Sequence, residues 1–495
     1  MKKKGFNIVF IISLIVVLAI SIWGIVHPAS FGVAASGSMS FITNGFGWLY
    51  VLGMTLFVVF AVWIGFFSKY KNVRLGPADS KPEYSNFAWF GMLFSAGMGV
   101  GLVFWGVAEP LNYYVAPLAG IEPMSKEAMR FAFARSYLHW GIHPWANYCA
   151  LALPLAYVMF RHGKPGLISS IFIPLVGEKA VKGVFGKVID VFAIFATAAG
   201  VATSLGLGVY QINSGLNFLF GIPETITVQM ILIAGLCIIY TWTAVAGIDK
   251  GINTVCDINV KVAGFLMAVL LIVGPTIDII NNLVEGTGVY LGNIIEDTFA
   301  TGQYTDRGFF NGWTIFYWAW WVAWAPFTGS FVARISRGRT IGQFVKGVML
   351  VPAAVSVVWF AIFGSIGLNA GNEVIAEAVK NTSLCLFQCL SLVPLGKVWC
   401  IVIFVLICTF FITSANSATF VLGMYSEEGD LNPSNKSKVI WGVLMAALAA
   451  AMMMGGGNGL NMLQTLSIVG AFPFLLIMLA GMPAMVMALR KEDIQ

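Results

Sequence analysis

Charge is scarce in this sequence. Of 495 residues, 28 are lysine or arginine and 22 are aspartate or glutamate, 10% in all, where a soluble domain carries roughly 25%. So few charges cannot clothe a water-facing surface, which excludes a soluble globular protein. Histidine is scarcer still: His27, His139, His143 and His162 are the full set. Only His139 and His143 stand one helical turn apart, with no acid beside them in the HExxH manner. No other His/Cys/Asp/Glu group has metal-ligand spacing, so a zinc site is excluded. Glu109, Asp190 and Asp257 stand alone in apolar surroundings and read as helix-terminal or structural groups. No intramembrane nucleophile–base pair accompanies them, which argues against an enzyme. Five cysteines, Cys149, Cys237, Cys256, Cys400 and Cys408, lie in or beside apolar runs and read as small buried hydrophobes. Cys385 and Cys389 are spaced i,i+4, poor geometry for a bridge. There is no low-complexity run, no long linker and no basic stripe interleaved with aromatics, so nucleic acid is not a partner.

Apolar length is what the sequence has in abundance, with 59% hydrophobic residues. Runs of about 20 residues, enough to cross a hydrocarbon core of about 30 Å, recur twelve times. They cover about 6–26, 46–68, 86–114, 135–160, 187–219, 227–248, 258–281, 312–333, 341–366, 396–424, 437–455 and 464–489. The first follows "MKKK" but is too long, and too poor in a cleavage site, for a signal peptide. With the N-terminus in the cytoplasm, alternating spans put 22 of the 28 basic residues inside. Only Lys126, Arg130, Arg135, Arg307, Lys380 and Lys397 fall outside. The positive-inside rule therefore places both termini in the cytoplasm, and the net charge of +6 reports topology and anionic cytoplasmic-leaflet lipid. Residues 281–299 are amphipathic and too polar to cross, which predicts a helix along the outer interface. Residues 165–183, interrupted by Pro174, predict a similar short segment on the inside.

Three stretches carry chemistry. "SAGMGVGLVFWG" puts Gly97, Gly99, Gly101 and Gly106 at mid-membrane depth, where each costs roughly 1 kcal/mol of helix propensity. Either small residues admit a neighbouring helix there, or the helix unwinds and exposes carbonyls to a cation or polar substrate. "TFFITSANSATF" places Thr413, Ser414, Asn416, Ser417 and Thr419 inside an apolar helix. Their hydroxyls can bond back to the preceding turn. Alternatively, Thr413, Ser414 and the Phe410 carbonyl, with carbonyls from an unwound helix, make a five-oxygen cage suited to a monovalent alkali cation. "WTIFYWAWWVAWAPF" has five tryptophans between Trp313 and Trp324 and no charge. On a helix Trp320, Trp324 and Trp321 share an arc of about 100°, with Trp318 about 60° further on. "HWGIHPWANY" repeats the theme with Trp140, Trp145 and Tyr148 on one face. Interfacial anchoring explains Trp48, Trp63 or Trp399, but not clusters well inside their spans. Two facing aromatic surfaces make a cage for a quaternary ammonium, each desolvated ring contributing up to ~2 kcal/mol by cation–π attraction.

The tryptophan stretch, continued as "TGSFVARISRGRTI", resembles the signature of the betaine/choline/carnitine transporter family. "GMGVGLVFWGVAEP", "HWGIHPWANY", "TSLGLG" and "FFITSANSA" match its other landmarks in order, over roughly residues 6–490. The resemblance implies an all-α integral membrane protein with twelve transmembrane helices and a LeuT-like fold. Its two inverted five-helix repeats would occupy 86–281 and 312–489, after two leading spans in 1–85, with the interfacial segment at 282–311 and a short cytoplasmic tail at 490–495. It implies a homotrimer in the plasma membrane. Residue by residue, Trp140, Trp145, Tyr148 and Trp321 correspond to an aromatic box around the trimethylammonium. Trp318, Trp320 and Trp324 correspond to the other tryptophans of that helix, with Met98, Gly99 and Gly101 beside them. Ser95, Met98, Phe410, Thr413 and Ser414 correspond to a sodium site; Thr197 and Phe327 fit part of a second, where Val201 replaces an expected threonine. Gly101 stands where choline-selective members carry an aspartate, which favours a zwitterion such as glycine betaine over choline. The hydroxyls of Thr413 and Ser414 favour sodium as the coupling ion, with no other cofactor. The alternatives are a sodium-independent exchanger of carnitine- or butyrobetaine-like substrates, or choline uptake. The short end "MALRKEDIQ" lacks the basic extension of osmosensing members, while an osmolyte-uptake role fits as well as nutrient import.

Overall fold

A computed structural model describes residues 7–97, 99–246, 249–455 and 459–492; the side chains of residues 94–97, 249–253 and 459 are outside that description. The described residues form α-helices throughout, with no β-strand. In order these are α1 (Ile8–Val26), α2 (Pro28–Val62), α3 (Asn86–Gly97), α4 (Val100–Val115), α5 (Lys126–Trp140), α6 (Ile142–Ala156), α7 (Ile173–Lys182), α8 (Val184–Phe220), α9 (Ile226–Val245) and α10 (Asp249–Val273). There follow α11 (Thr276–Phe299), α12 (Arg307–Gly312), α13 (Thr314–Arg334), α14 (Ile341–Leu368), α15 (Asn372–Ala378), α16 (Cys385–Leu390), α17 (Gly396–Ser426), α18 (Asn435–Met454) and α19 (Gly459–Leu489). Their ends obey local chemistry. Asn7 caps α1 by accepting the Phe10 N–H at 2.8 Å, and Thr340 and Gln343 form a reciprocal capping box on α14. Gly221, at φ 72°, closes α8 in the left-handed conformation that glycine tolerates.

Nine helices among the described residues are long and apolar enough to cross a membrane. Three of the expected spans are absent from that set for a physical reason. Those at 86–114 and 135–160 are interrupted, into α3 and α4 and into α5 and α6, and the tryptophans of α13 lower its hydropathy. Another boundary moves outright: the expected second span begins near residue 46, whereas α2 starts at Pro28. Its first turns, "PASFGVAASGSMSFITNG", are too rich in small polar residues to read as an apolar run, yet they are helical, and Pro28 at the first position suits a helix start. The 165–183 stretch is a 3-10 turn, Ile168–Phe172, followed by α7, with a kink at Gly177 (φ 79°). None of the seven cysteines forms a disulfide, and Cys385 and Cys389 are buried.

Two interruptions shape the interior. α3 ends at Gly97 and α4 begins at Val100, with Gly99 at φ −112°, ψ −147°. α5 ends at Trp140 and α6 begins at Ile142, with Gly141 at φ −89°, ψ −121°. The Ile142 N–H, left without a helical acceptor, donates to the Tyr290 hydroxyl of α11 at 3.2 Å. Three further bonds tie α11 to the same region. The Tyr137 hydroxyl donates to the Asn282 carbonyl at 3.1 Å, His143 Nε2 lies 2.8 Å from Thr298 Oγ1, and Arg135 pairs with Asp297 at 2.8 Å. α17, by contrast, runs unbroken through Thr409–Phe420, its hydroxyls bonding back one turn: Thr413 to the Thr409 carbonyl at 3.0 Å, Ser417 to that of Thr413 at 2.9 Å.

α13 is the hub, packed against α2, α6, α8 and α19. At the far end, Arg161 grips Glu492 with two bonds of 2.9 and 2.6 Å, and the Tyr157 hydroxyl adds a third at 2.6 Å. The Arg161 guanidinium holds the Glu492 carboxyl below the usual carboxylate range.

The break at Gly141 has no room for a side chain, because a Cβ there would stand 2.4 Å from the Tyr137 carbonyl and 3.0 Å from the Tyr290 hydroxyl. Gly141→Ala is expected to destabilise the protein by about 1–3 kcal/mol, the usual cost of overpacking. Thermal unfolding of the detergent-purified variant checks this; an unchanged midpoint would mean that α11 yields freely.

Candidate functional site

Four rings from two neighbouring spans meet in sequence. Trp140 lies edge-to-face on Trp321, with centroids 4.8 Å apart at 81°. Tyr148 meets the same Trp321 at 6.4 Å and 82°, and Trp145 meets Tyr148 at 5.5 Å and 79°. All four are buried. The break at Gly141 is what separates Trp140 from Trp145 and Tyr148, while Trp140 and Tyr148 both meet Trp321 of α13. Polar ends fix the rings: the Trp321 indole donates to the His139 carbonyl at 2.9 Å, and Asn147 Nδ2 donates to the Trp321 carbonyl at 2.8 Å. Trp320 Nε1 is buried without a hydrogen-bond partner, a costly state unless a further group meets it.

The other tryptophans of α13 take separate positions. Trp320 stacks on Trp321 at 5.2 Å and 14° and stands 6.1 Å from Trp140. Trp318 turns away, stacked on His143 at 5.1 Å and edge-on to His139 at 5.5 Å. Trp324 lies a turn deeper and donates to the Gly200 carbonyl at 2.9 Å and to Ser204 Oγ at 3.1 Å. A cavity of about 10 Å³ opens beside it, lined by Val100, Val201, Ser204, Trp324, Phe327 and Ser414 among others. That is room for about one water molecule.

The glycines of α4 have different duties. Gly101 and Gly106 are inside regular helix. A Cβ on Gly101 would stand 2.6 Å from Cη2 of Trp320 and 3.4 Å from Cη2 of Trp140; one on Gly106 would stand 2.4 Å from Nε1 of Trp359. Close packing thus accounts for these two, and interruption for Gly99. A Cβ on Gly99 would stand 3.2 Å from Ser414 Oγ, which brings the broken span and α17 together at one point. Thr413 Oγ1 also reaches the Phe410 carbonyl at 3.2 Å. Met98 and the Ser95 side chain lie outside the described residues. Thr197 bonds back to the Ala193 carbonyl at 2.8 Å, and Phe327 lies 5.4 Å from Trp324, edge-to-face.

Glu109, which the sequence presents as an isolated structural group, has partners at the site. It is 0% exposed. Its Oε2 accepts the Trp140 indole N–H at 2.7 Å and the Tyr317 hydroxyl at 2.5 Å, and Oε1 lies 2.9 Å from His139 Nδ1. The acid missing beside the histidine pair comes from a different span. Asp190 keeps the structural role expected of it, accepting the backbone N–H and the hydroxyl of Ser169 at 3.0 and 2.8 Å.

Comparison with known proteins places this architecture. The model of the betaine/carnitine/choline family of transporters matches residues 8–494. The glycine betaine transporter OpuD of Bacillus subtilis is 43% identical over 99% of this chain and 95% of its own length. A probable glycine betaine transporter of Desulfitobacterium hafniense is 40% identical over 99% of this chain and 98% of its own. An ectoine/hydroxyectoine transporter of Virgibacillus pantothenticus is 40% identical over 98% and 97%. The chain belongs to the betaine/carnitine/choline transporter family. It is a multi-pass membrane transporter and not an enzyme.

Because Gly101 makes room for the far edge of Trp320, Gly101→Ala is expected to displace that indole. The intrinsic tryptophan emission should shift while the unfolding free energy falls by no more than about 1–3 kcal/mol, the usual cost of overpacking. Emission identical to the parent's would mean that the ring is not held by that contact.

Proposed function

We propose that this member of the family imports glycine betaine, or a close trimethylammonium zwitterion, by sodium symport across the plasma membrane. We further propose twelve spans in two inverted five-helix repeats of LeuT-like fold, cytoplasmic termini and a homotrimer.

The observation that carries the substrate reading is the contact chain Trp140–Trp321–Tyr148–Trp145. Four buried rings from facing spans, with no acid among them, suit a soft cation that offers no hydrogen bonds. The unpartnered Trp320 indole supplies a donor for a substrate carboxylate. With Gly101 lying against Trp320 and Trp140, no side-chain counter-charge stands in the cage, which favours a zwitterion over choline. Two of the relatives described are named as glycine betaine transporters. The third, named for ectoine and hydroxyectoine, adds a substrate class that the sequence reading did not weigh. Carnitine and proline betaine carry the same two charges as glycine betaine.

Sodium coupling rests on the oxygens at the junction of Gly99 and Ser414. Thr413 Oγ1 donates its proton to a preceding carbonyl, so its lone pairs stay available to a cation, and Ser414 borders the adjoining cavity. At the second sodium position Val201 offers no oxygen where Thr197 offers one. The rival reading is sodium-independent exchange of carnitine- or butyrobetaine-like substrates.

Trp321→Ala is expected to weaken betaine binding strongly, and Trp321→Phe to retain part of it, since phenyl is the weaker cation–π partner. Fluorescence titration with glycine betaine, choline, carnitine, proline betaine and ectoine reads both the affinity and the order of preference. Two variants that bind glycine betaine as tightly as the parent would put the cage elsewhere.

Counterflow and uptake in proteoliposomes test the coupling. The Thr413→Ala/Ser414→Ala variant loses two of about five oxygens while keeping good helix formers. The sodium concentration for half-maximal uptake should therefore rise steeply. By reciprocal linkage, betaine affinity should fall in the same variant at limiting sodium. A parent that accumulates betaine equally well without sodium would favour the exchanger.

A further inference from the structure

Glu109 belongs neither to the aromatic cage nor to the proposed ion position, yet it is bonded to the cage. The indole N–H of Trp140 donates to its Oε2 at 2.7 Å, and the Tyr317 hydroxyl shares that oxygen at 2.5 Å. His139 Nδ1 is 2.9 Å from Oε1, while Nε2 of the same ring is 3.1 Å from Thr314 Oγ1. The Tyr113 hydroxyl stands 3.1 Å from Nδ1. The nearby Arg135 guanidinium is engaged by Asp297 at 2.8 Å. With the proton of His139 on Nδ1, the tautomer that a carboxylate acceptor calls for, Trp140, Tyr317 and His139 all donate to the carboxyl. That is the partner set of an anion.

Resting on the betaine reading, we propose that the Glu109 carboxylate is the counter-charge of the cage, delivered through the Trp140 indole. An indole whose N–H donates to an anion has a more electron-rich π face, and its attraction for a cation on that face grows. In so buried a site the carboxylate's own field reinforces the effect. An ionisable residue within a membrane segment is functional by default, because burying it is expensive. Glu109 stands at the edge of the ring, outside the cage, so it attracts the trimethylammonium without occupying the place of the substrate's own carboxylate. This gives the cage a negative bias that Gly101 leaves it without. Glu109 is thus a positioning and polarising residue that acts on the substrate through Trp140.

An isostere whose head group is uncharged isolates the effect. 3,3-Dimethylbutyrate replaces the ammonium nitrogen of glycine betaine by carbon and keeps the carboxylate. Glu109→Gln is expected to weaken glycine betaine about tenfold and the isostere by less than about twofold, so the preference for charge collapses. In a Trp140→Phe background, which has no N–H to donate, Glu109→Gln should leave the preference where Trp140→Phe put it. Equal weakening of both ligands would reduce Glu109 to a structural support and overturn the proposal. An undiminished effect in the Trp140→Phe background would overturn the route through the indole. Should Glu109→Gln fail to assemble, Tyr317→Phe provides the test. It keeps the ring and leaves Trp140 the remaining donor to Oε2, so the preference should be at least the parent's; a fall toward equality would contradict the proposal. A parent with no preference for glycine betaine over the isostere contradicts the betaine reading itself. A parent whose preference survives Glu109→Gln contradicts only the role of Glu109.

Discussion

A helix interrupted within a membrane must find partners for the backbone groups it frees, because no water is there to meet them. The interruption at Gly141 depends on this. It separates Trp140 from Trp145 and Tyr148 so that Trp140 and Tyr148 meet Trp321 of α13 from two helical segments, and the freed Ile142 N–H is met by the Tyr290 hydroxyl. α11 therefore does more than connect two halves of the chain. Its Asn282, Tyr290, Asp297 and Thr298 reach Tyr137, Ile142, Arg135 and His143 in turn, holding the interrupted span at a fixed opening. The interruption at Gly99 is met from the other side, where Ser414 of the unbroken α17 lies against it.

Indole imposes a second demand, since each ring carries one N–H that a buried position must satisfy. Trp321 uses the His139 carbonyl, Trp324 the Gly200 carbonyl and Trp140 the Glu109 carboxyl. Trp320 has no such partner. The helices can come close enough for these bonds because Gly101, Gly106 and Gly200 carry no side chain. A Cβ on Gly200 would stand 2.8 Å from Cδ1 of Trp324. Small residues and large rings are thus two halves of one packing solution, with the glycines of one span cut to the indoles of another.

Much of this was legible in the sequence. Composition set the membrane class, and nine of the twelve apolar runs coincide closely with described helices or with the pair α3 and α4, whereas those at 46–68, 135–160 and 258–281 start or end well away from the helices they fall on; residues 281–299 fall within α11. The cage tryptophans could be named because they crowd into two short stretches whose periodicity needs no tertiary knowledge. What was illegible depends on contacts between distant spans. Glu109 looked isolated because its partners are Trp140, His139 and Tyr317, and no local spacing connects a residue of α4 with residues of α5 and α13. The break at Gly141 was missed although "WGIHP" places a glycine three residues before Pro144, because one glycine inside an aromatic motif reads as packing. Gly101 and Gly106 were grouped with Gly97 and Gly99 as one run. Only the ring against each shows that they serve contact and not interruption. The early start of α2 was hidden for the opposite reason, since small polar residues can be helical without being apolar.

The central claim is that the four-ring chain on α5, α6 and α13 receives the trimethylammonium group. The most direct measurement is a cryo-EM structure of the protein with glycine betaine and sodium, at a resolution that defines the ligand. The account predicts three methyl groups in contact with the rings of Trp140, Trp321, Tyr148 and Trp145, and the ligand carboxylate turned toward the Trp320 indole. Betaine resolved at another place, with these four rings still in their mutual edge-to-face contacts, would contradict it.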